Sequence, residues 1–272
     1  MDRTNSNLEA LGQNSDSTTT RRIGRNIKSH LIQDLSESWG DSVLILSCFV
    51  TGLLDSAVFN VWSCFVSMQT GNTIYVGLGV SSQPKSSPYR WAKSLTSIIF
   101  FVFGAFFFSR TMRALGPMKR YTVVLSFVFQ ALLTFIPAAL VQSGFVPQDA
   151  GDAIPDDWIV LLPLALLAWQ SAGQIVMSRI LGVGEITTVV LTSAYCDLFF
   201  DDKVLSAPLT ENVKRNRRVA SVVLLLLGAV AGGFLTRRGD IALALWVAGA
   251  IKVLIAAVWM GWRGKAEGIR LE

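Results

Sequence analysis

"FVSMQTGNTIYVGLG", residues 65 to 79, decides how this chain folds. It lies among long runs of Leu, Val, Ile and Phe, yet Gln69, Thr70, Gly71, Asn72 and Thr73 stand together inside it. If the stretch crosses a bilayer, the two halves of the chain run in parallel. If it enters and returns, they run in opposite directions.

The surroundings set the class. Of 272 residues, 51% are hydrophobic and 16% charged. The charges gather between apolar runs about twenty residues long, the length that spans a bilayer core of ~30 Å. A soluble helical protein would give each helix a charged outer face, and these runs have none. The composition therefore predicts an all-α polytopic membrane protein. It has about six full transmembrane helices, near 42–61, 94–112, 121–142, 157–180, 217–236 and 241–262. Two short discontinuous segments, 65–81 and 185–200, follow the first and the fourth long run. The order long, short, long, long occurs twice, which predicts two internal repeats over about 41–142 and 157–262.

The domain reading is a transmembrane domain over 41–264 between two tails, 1–40 and 265–272. Residues 1 to about 28 are rich in Asn, Ser, Thr, Asp and Arg, with too few apolar residues to offset the entropy of ordering. They lack the apolar core of a cleavable signal peptide, and Asp2, Glu9 and Asp16 fit a mitochondrial presequence poorly. In "SHLIQDLSESWG", Leu31, Ile32, Leu35 and Trp39 have helical spacing. Two readings stay open there, an interfacial helix and a lead-in to the first span.

The net charge of +5 is topological in such a chain, since Lys and Arg collect on the cytoplasmic side. It gives no nucleic-acid signal; the expected partners are the lipid bilayer, a small solute and, without excluding it, a second copy in a homo-oligomer. With the short segments re-entrant, 18 Lys and Arg share the side of the N-terminus and 5 lie opposite, Lys252 being inside a span. With both segments crossing, the division is 16 to 7. The first arrangement is favoured, with a cytoplasmic N-terminus, and it makes the halves inverted repeats. Charge bias does not identify which membrane holds the chain.

Cys48, Cys64 and Cys196 lie far apart, without the spacing of a disulfide framework or a zinc site. His30 is the one histidine. No metal site, cofactor motif, Walker loop, nucleophile elbow or catalytic spacing is present, so the chain reads as a protein other than an enzyme.

Gly71 and Asn72 are weak helix formers, and Thr70 can cap a helix start. The expectation is a break at Gln69–Asn72 followed by a short helix. In lipid, a broken backbone is tolerated only where protein or a water-lined cavity supplies the missing hydrogen bonds. A half-helix N-terminus would also present free N–H groups to a polar or anionic ligand. The competing reading is close packing through Gly71, Gly77 and Gly79, with Thr and Asn bonding neighbouring helices. The second short segment offers Thr187, Thr188, Thr192 and Ser193 between Glu185 and Asp197. Thr192–Ser193–Ala194 is its counterpart of Thr70–Gly71–Asn72.

Asp55 lies deep in the first apolar run. A charge at that depth costs at least ~2.5 kcal/mol and normally faces a partner inside the bundle. Lys252 poses the same problem with opposite sign, so a charge pair Asp55–Lys252 is one expectation, and snorkelling of Lys252 another. The alternative makes Asp55 a coupling carboxylate or a solute ligand. Gln170 and Ser171 hold the similar late position in the fourth run. The candidate substrate or ion site is therefore Asp55, Gln69, Thr70, Gly71, Asn72, Thr73, Gln170, Thr188, Thr192 and Asp197. "GAVAGG", residues 228–233, has a small-xxx-small spacing suited to helix contact.

"FVTGLLDSAVF", "FVSMQTGNTIYVGLG", "LLAWQSAG" and "TTVVLTSAYCDL" together resemble the YoaK-type family, small bacterial and fungal membrane proteins carrying a domain of unknown function. Asp55 matches that family's Gly-x-x-Asp-Ala-like turn, and Thr70–Gly71–Asn72 its Thr-Gly-Asn signature. Ser193 stands where the second signature has Gly, and Ser171 where the family has Asn. The resemblance covers roughly residues 40 to 262 and implies a multi-span membrane protein with no activity attached. From the residues themselves, a secondary transporter or permease for a small solute is the leading expectation. A non-transporting scaffold or assembly partner is the alternative.

Overall fold

The structure is a computed structural model of the chain and describes residues 28–36, 40–83, 85–87, 89–148, 155–182, 191–237 and 240–265. In chain order the helices are α1 (Gly40–Trp62), α2 (Gln69–Val80), α3 (Arg90–Leu115), α4 (Arg120–Gln142), α5 (Leu161–Ile180), α6 (Leu191–Phe199), α7 (Val213–Thr236) and α8 (Ile241–Met260). A 3-10 turn, Pro155–Val160, leads into α5.

Six of the described helices are long and apolar enough to cross a membrane, all except α2 and α6. The chain is a multi-pass α-helical membrane protein. Spans of this kind form because no water in the hydrocarbon core can satisfy a free peptide group, and only the helix pairs each one within its own segment. Two of them start on a side-chain cap where the chain leaves polar surroundings. Asn212 accepts from the Arg215 N–H at 3.0 Å to start α7, and Asp240 accepts from the Leu243 N–H at 3.1 Å to start α8.

Two helices occupy the middle. In the most apolar stretch of α1 and of the α5 span 67% of residues are buried, against 33% in α3 and 28% in α7. The outer helices turn Phe103, Phe106, Leu226 and Phe234 outward, as helices facing lipid must. α1 packs mainly on α7, α3 on α5, and α4 on both α8 and α5. α2 lies along α3, and α6 along α7.

One end of the bundle is laced together. Leu35 N–H donates to the Met118 carbonyl at 2.9 Å, and Arg120 N–H to the Gln33 carbonyl at 3.1 Å. Ser36 N–H donates to the Arg263 carbonyl at 3.1 Å, and Lys265 N–H to the Asp34 carbonyl at 2.8 Å. Buried Arg120 clamps the knot through the carbonyls of His30 (2.9 Å) and Trp262 (2.5 Å). The segment before α1, the α3–α4 turn and the end of α8 therefore share one face. Residues 28–32 are helical, but Leu35 sits in an extended stretch and is fully buried. It is thus not part of an amphipathic interfacial helix. The rest of the tail, residues 1–27, lies outside the described residues, as do 37–39.

That shared face fixes the course of the chain. α1 leaves it, α3 returns to it, and α4 leaves it again, so the segment between α1 and α3 makes no net crossing.

Candidate functional site

α1 ends at Trp62, where the indole N–H donates to the Pro147 carbonyl at 3.3 Å. Ser63 then takes a positive φ of 55°, and its carbonyl accepts from Arg90 Nε at 2.8 Å. The Arg90 guanidinium also lies 3.8 Å from the centre of the Tyr75 ring. After this reversal the chain dips back beside α1. Val66 N–H and Ser67 N–H both donate to Asp55 Oδ1, at 2.8 and 3.0 Å, and the Ser67 hydroxyl donates to Asp55 Oδ2. Asp55 lies two turns, about 10 Å, before the end of α1 at 1.5 Å per residue. The segment is re-entrant, and α2, with 12 residues, covers about 18 Å of the ~30 Å core on its way back out.

The peptide groups of Phe65 and Val66 are met largely by side chains, while the Ser67 and Met68 carbonyls accept from the N–H groups that open α2. The Val66 carbonyl accepts from Ser171 Oγ of α5 at 3.1 Å and from Gln69 Nε2 at 3.1 Å. Asn72, completely buried, donates through Nδ2 to the Phe65 carbonyl at 2.7 Å and accepts the Phe65 N–H on Oδ1 at 3.2 Å. Its carboxamide thus replaces a neighbouring peptide for Phe65. The Phe65 carbonyl takes a second donor, Ser97 Oγ of α3, at 2.8 Å. Gln69 joins the two sides by accepting from Asn72 at 2.9 Å and donating to Ser97 at 3.1 Å. A Cβ on Gly71 would lie 3.0 Å from the Phe65 ring, so the small residue lets the dipping chain sit against α2.

Asp55 and Lys252 do not meet. Lys252, fully buried at the centre of α8, donates to Gln130 Oε1 of α4 at 2.9 Å and to Gln174 Oε1 of α5 at 3.1 Å. Gln174 Nε2 in turn donates to the Ser47 carbonyl at 3.0 Å and Thr51 Oγ1 at 2.7 Å on α1. Gln130 Nε2 donates to Ser126 Oγ at 3.2 Å. The expected charge pair is corrected accordingly. Asp55 is taken up by the backbone N–H groups of a break eleven residues downstream, and Lys252 by two carboxamides. Full burial also removes the snorkelling reading.

The two networks are neighbours all the same. Thr51 and Asp55 are one turn apart on α1, and Gln170 and Gln174 one turn apart on α5. Gln170 is buried between them. Its Nε2 donates to Ser171 Oγ at 3.3 Å, and its Oε1 has no partner.

Of the residues singled out from sequence, Asp55, Gln69, Gly71 and Asn72 converge on the break, with Gln170 close by. Thr70 and Thr73 are on the exposed side of α2, Thr73 closing onto the Gln69 carbonyl at 2.8 Å. Thr192 and Asp197 are on α6 and take no part. Thr192 is exposed, while Asp197 lies 3.8 Å from Arg218 and its carbonyl accepts from Arg218 Nη1 at 3.1 Å. α6 therefore sits beside the start of α7. The end of α7 meets the end of α1 through Asn60 and Thr236 (3.2 Å), so α6 and α2 lie towards opposite faces. Thr188, with Glu185 and Thr187, falls outside the described residues.

Ser67, Ser97, Gln130 and Gln174 were not picked out from sequence. Gln130 and Gln174 carried the same signal as Asp55, a large polar side chain in mid-span. Ser67 and Ser97 carried none, because a serine in a span so often bonds its own helix. Among the described residues no group of three or more His, Cys, Asp or Glu is placed to hold a metal ion.

A family model described as "Protein of unknown function (DUF1275)" matches residues 43–258. The expected kinship with a family carrying a domain of unknown function is borne out by that match. Among curated proteins and among solved structures, nothing matches.

Proposed function

The chain belongs to the DUF1275 family, and we propose that it is a secondary transporter or permease for a small solute, with its path at the broken segment. The observation that carries the reading is the dip of residues 63–68 to the depth of Asp55. The dip is held between α1, α3 and α5 by side-chain hydrogen bonds rather than by a helix ladder. Broken backbone at membrane depth is a recurring feature of transporter sites. Side chains can exchange partners with a solute or water as the continuous ladder of a span cannot, which suits a segment that opens and closes.

The packing supports a pair of inverted repeats. If α1–α4 are matched in order to α5–α8, each contact has its counterpart: α1 on α7 with α5 on α3, α2 on α3 with α6 on α7, and α4 on α5 with α8 on α1. α4 against α8 then lies on the local axis. The placing of α2 and α6 towards opposite faces fits the same relation. Alternating access is achieved in such folds by rocking one repeat against the other.

The test is uptake by proteoliposomes over a panel of amino acids, sugars, carboxylates and inorganic ions. Wild type should carry at least one of them, and Asp55→Asn and Asn72→Ala should cut that flux at least tenfold while remaining folded in detergent. No flux across the panel from folded protein, or flux that both variants keep, would overturn the proposal and favour a non-transporting membrane scaffold.

A further inference from the structure

We infer that Lys252 is the cationic centre of a binding site for a small monovalent anion, a halide-like ion or the carboxylate of a small solute, buried one helical turn from the break. The site is built by four helices. Ser47 and Thr51 come from α1, Ser126 and Gln130 from α4, Gln174 from α5, and Lys252 from α8.

An ammonium removed from water costs several kcal/mol unless a counter-charge and good hydrogen bonds compensate. Lys252 has the hydrogen bonds and, among the described residues, no counter-charge. Both partners of Nζ are neutral carboxamide oxygens, at 2.9 and 3.1 Å. Among the described residues the one buried carboxylate, Asp55, is taken up by Val66 and Ser67. An ammonium has three N–H donors, and the carboxamides take two.

A second observation points the same way. Ser47, whose carbonyl anchors Gln174, carries a completely buried hydroxyl with no partner. A hydroxyl donor and an ammonium donor left over in one polar cluster suit an anion. A cation would meet Lys252 with repulsion. A divalent anion would find one positive charge where it needs two, so the class is monovalent.

The position explains why such a site belongs in this fold. Gln174 is one turn from Ser171, which holds the Val66 carbonyl, and Thr51 is one turn from Asp55. The cluster and the break therefore share α1 and α5 and lie one turn apart on each. Asp55 serves the N–H groups of the break as a tethered anion, which leaves Lys252 as the charge that selects a mobile one. The inference rests on the transport reading only in making the bound anion the solute, because binding is measurable without flux.

The experiment is thermal unfolding of the full chain in detergent with gluconate as background anion, titrated with chloride, nitrate, formate or acetate. Wild type should show a saturable rise in Tm of about 3 °C or more with at least one of the four. The halide and carboxylate arms separate the two sources. Lys252→Met and Lys252→Gln should lose that rise, and Lys252→Met should have the higher Tm without added anion. Absence of a saturable rise in wild type, or its persistence in a folded neutral variant, overturns the site. Failure of both neutral variants to fold makes Lys252 a structural lysine and overturns it too. Binding without flux would reject the transport reading and leave the site standing.

Discussion

Asp55 has the profile of a functional intramembrane carboxylate, yet all three of its donors come from residues 66 and 67. This makes a sharp distinction between two substitutions. Asp55→Ala leaves two N–H groups in hydrocarbon without an acceptor, at on the order of 1–3 kcal/mol each. Asp55→Asn keeps one oxygen for both N–H groups and lets the Ser67 hydroxyl turn to accept from the new amide. The expected order of unfolding midpoints is wild type, then Asp55→Asn slightly below, then Asp55→Ala far below, read by thermal denaturation in a mild detergent. Equal midpoints for the two variants would mean that the carboxylate does not hold the segment. The depth of Asp55 was legible in the sequence and its partner was not. An intramembrane charge invites a search for the opposite charge, and Lys252 was the available one. The N–H groups of a broken helix are equally good donors, but they become visible only once the chain is known to turn back.

At the scale of the element, the seam between α1 and α7 is set by glycine. A Cβ on Gly52 would lie 1.9 Å from the Leu225 carbonyl oxygen, and one on Gly228 2.0 Å from that of Phe49. On Gly232 it would lie 2.4 Å from the Leu53 carbonyl oxygen. These clashes are with backbone, so no side-chain rotation relieves them and the helices must part. Gly233, on the same helix, has nothing within 4 Å. Gly228→Ala should therefore destabilise by roughly 1–3 kcal/mol, the usual cost of overpacking. Gly233→Ala should be neutral or stabilising by up to about 1 kcal/mol, because Ala is the better helix former. Chemical denaturation of the two variants side by side checks the contrast, and a similar loss in both would sink it. The spacing in "GAVAGG" announced a close helix contact without naming the other helix. Small residues remove bulk and leave no recognition pattern, so the assignment to α1 comes only from the packed structure. The 12-residue α2 was legible as a short helix but not in its start: the break expected at Gln69–Asn72 lies instead at 63–68, and Gln69, Thr70, Gly71 and Asn72 form the first turn of α2, which opens behind Met68 without a side-chain cap from Thr70.

At the scale of the whole molecule, charge alone barely chose between a crossing and a re-entrant segment, because moving one loop transfers only a few Lys and Arg. The choice becomes plain in the knot that joins Gln33–Ser36, Met118–Arg120 and Trp262–Lys265. Three chain regions that meet by backbone hydrogen bonds cannot lie on opposite sides of a bilayer. A crossing by residues 65–81 would put the α3–α4 turn on the far side from Gln33–Ser36, so the knot and a crossing exclude each other. Lys265, in the knot, is exposed, and Phe145, beyond the other end of α4, is exposed at the opposite face. Single cysteines at Gly116, Lys265 and Phe145 convert this into a labelling experiment, in a background where Cys196, the exposed native cysteine, is serine. With an impermeant maleimide on sealed cells, Phe145→Cys should react from outside. Gly116→Cys and Lys265→Cys should react only after permeabilisation, which also tests the cytoplasmic placing that the Lys and Arg bias favours. The reverse labelling of all three would invert the protein in its membrane and leave the fold intact. Labelling of Gly116→Cys and Lys265→Cys from different sides would refute the re-entrant course itself, and with it the paired packing of the two halves.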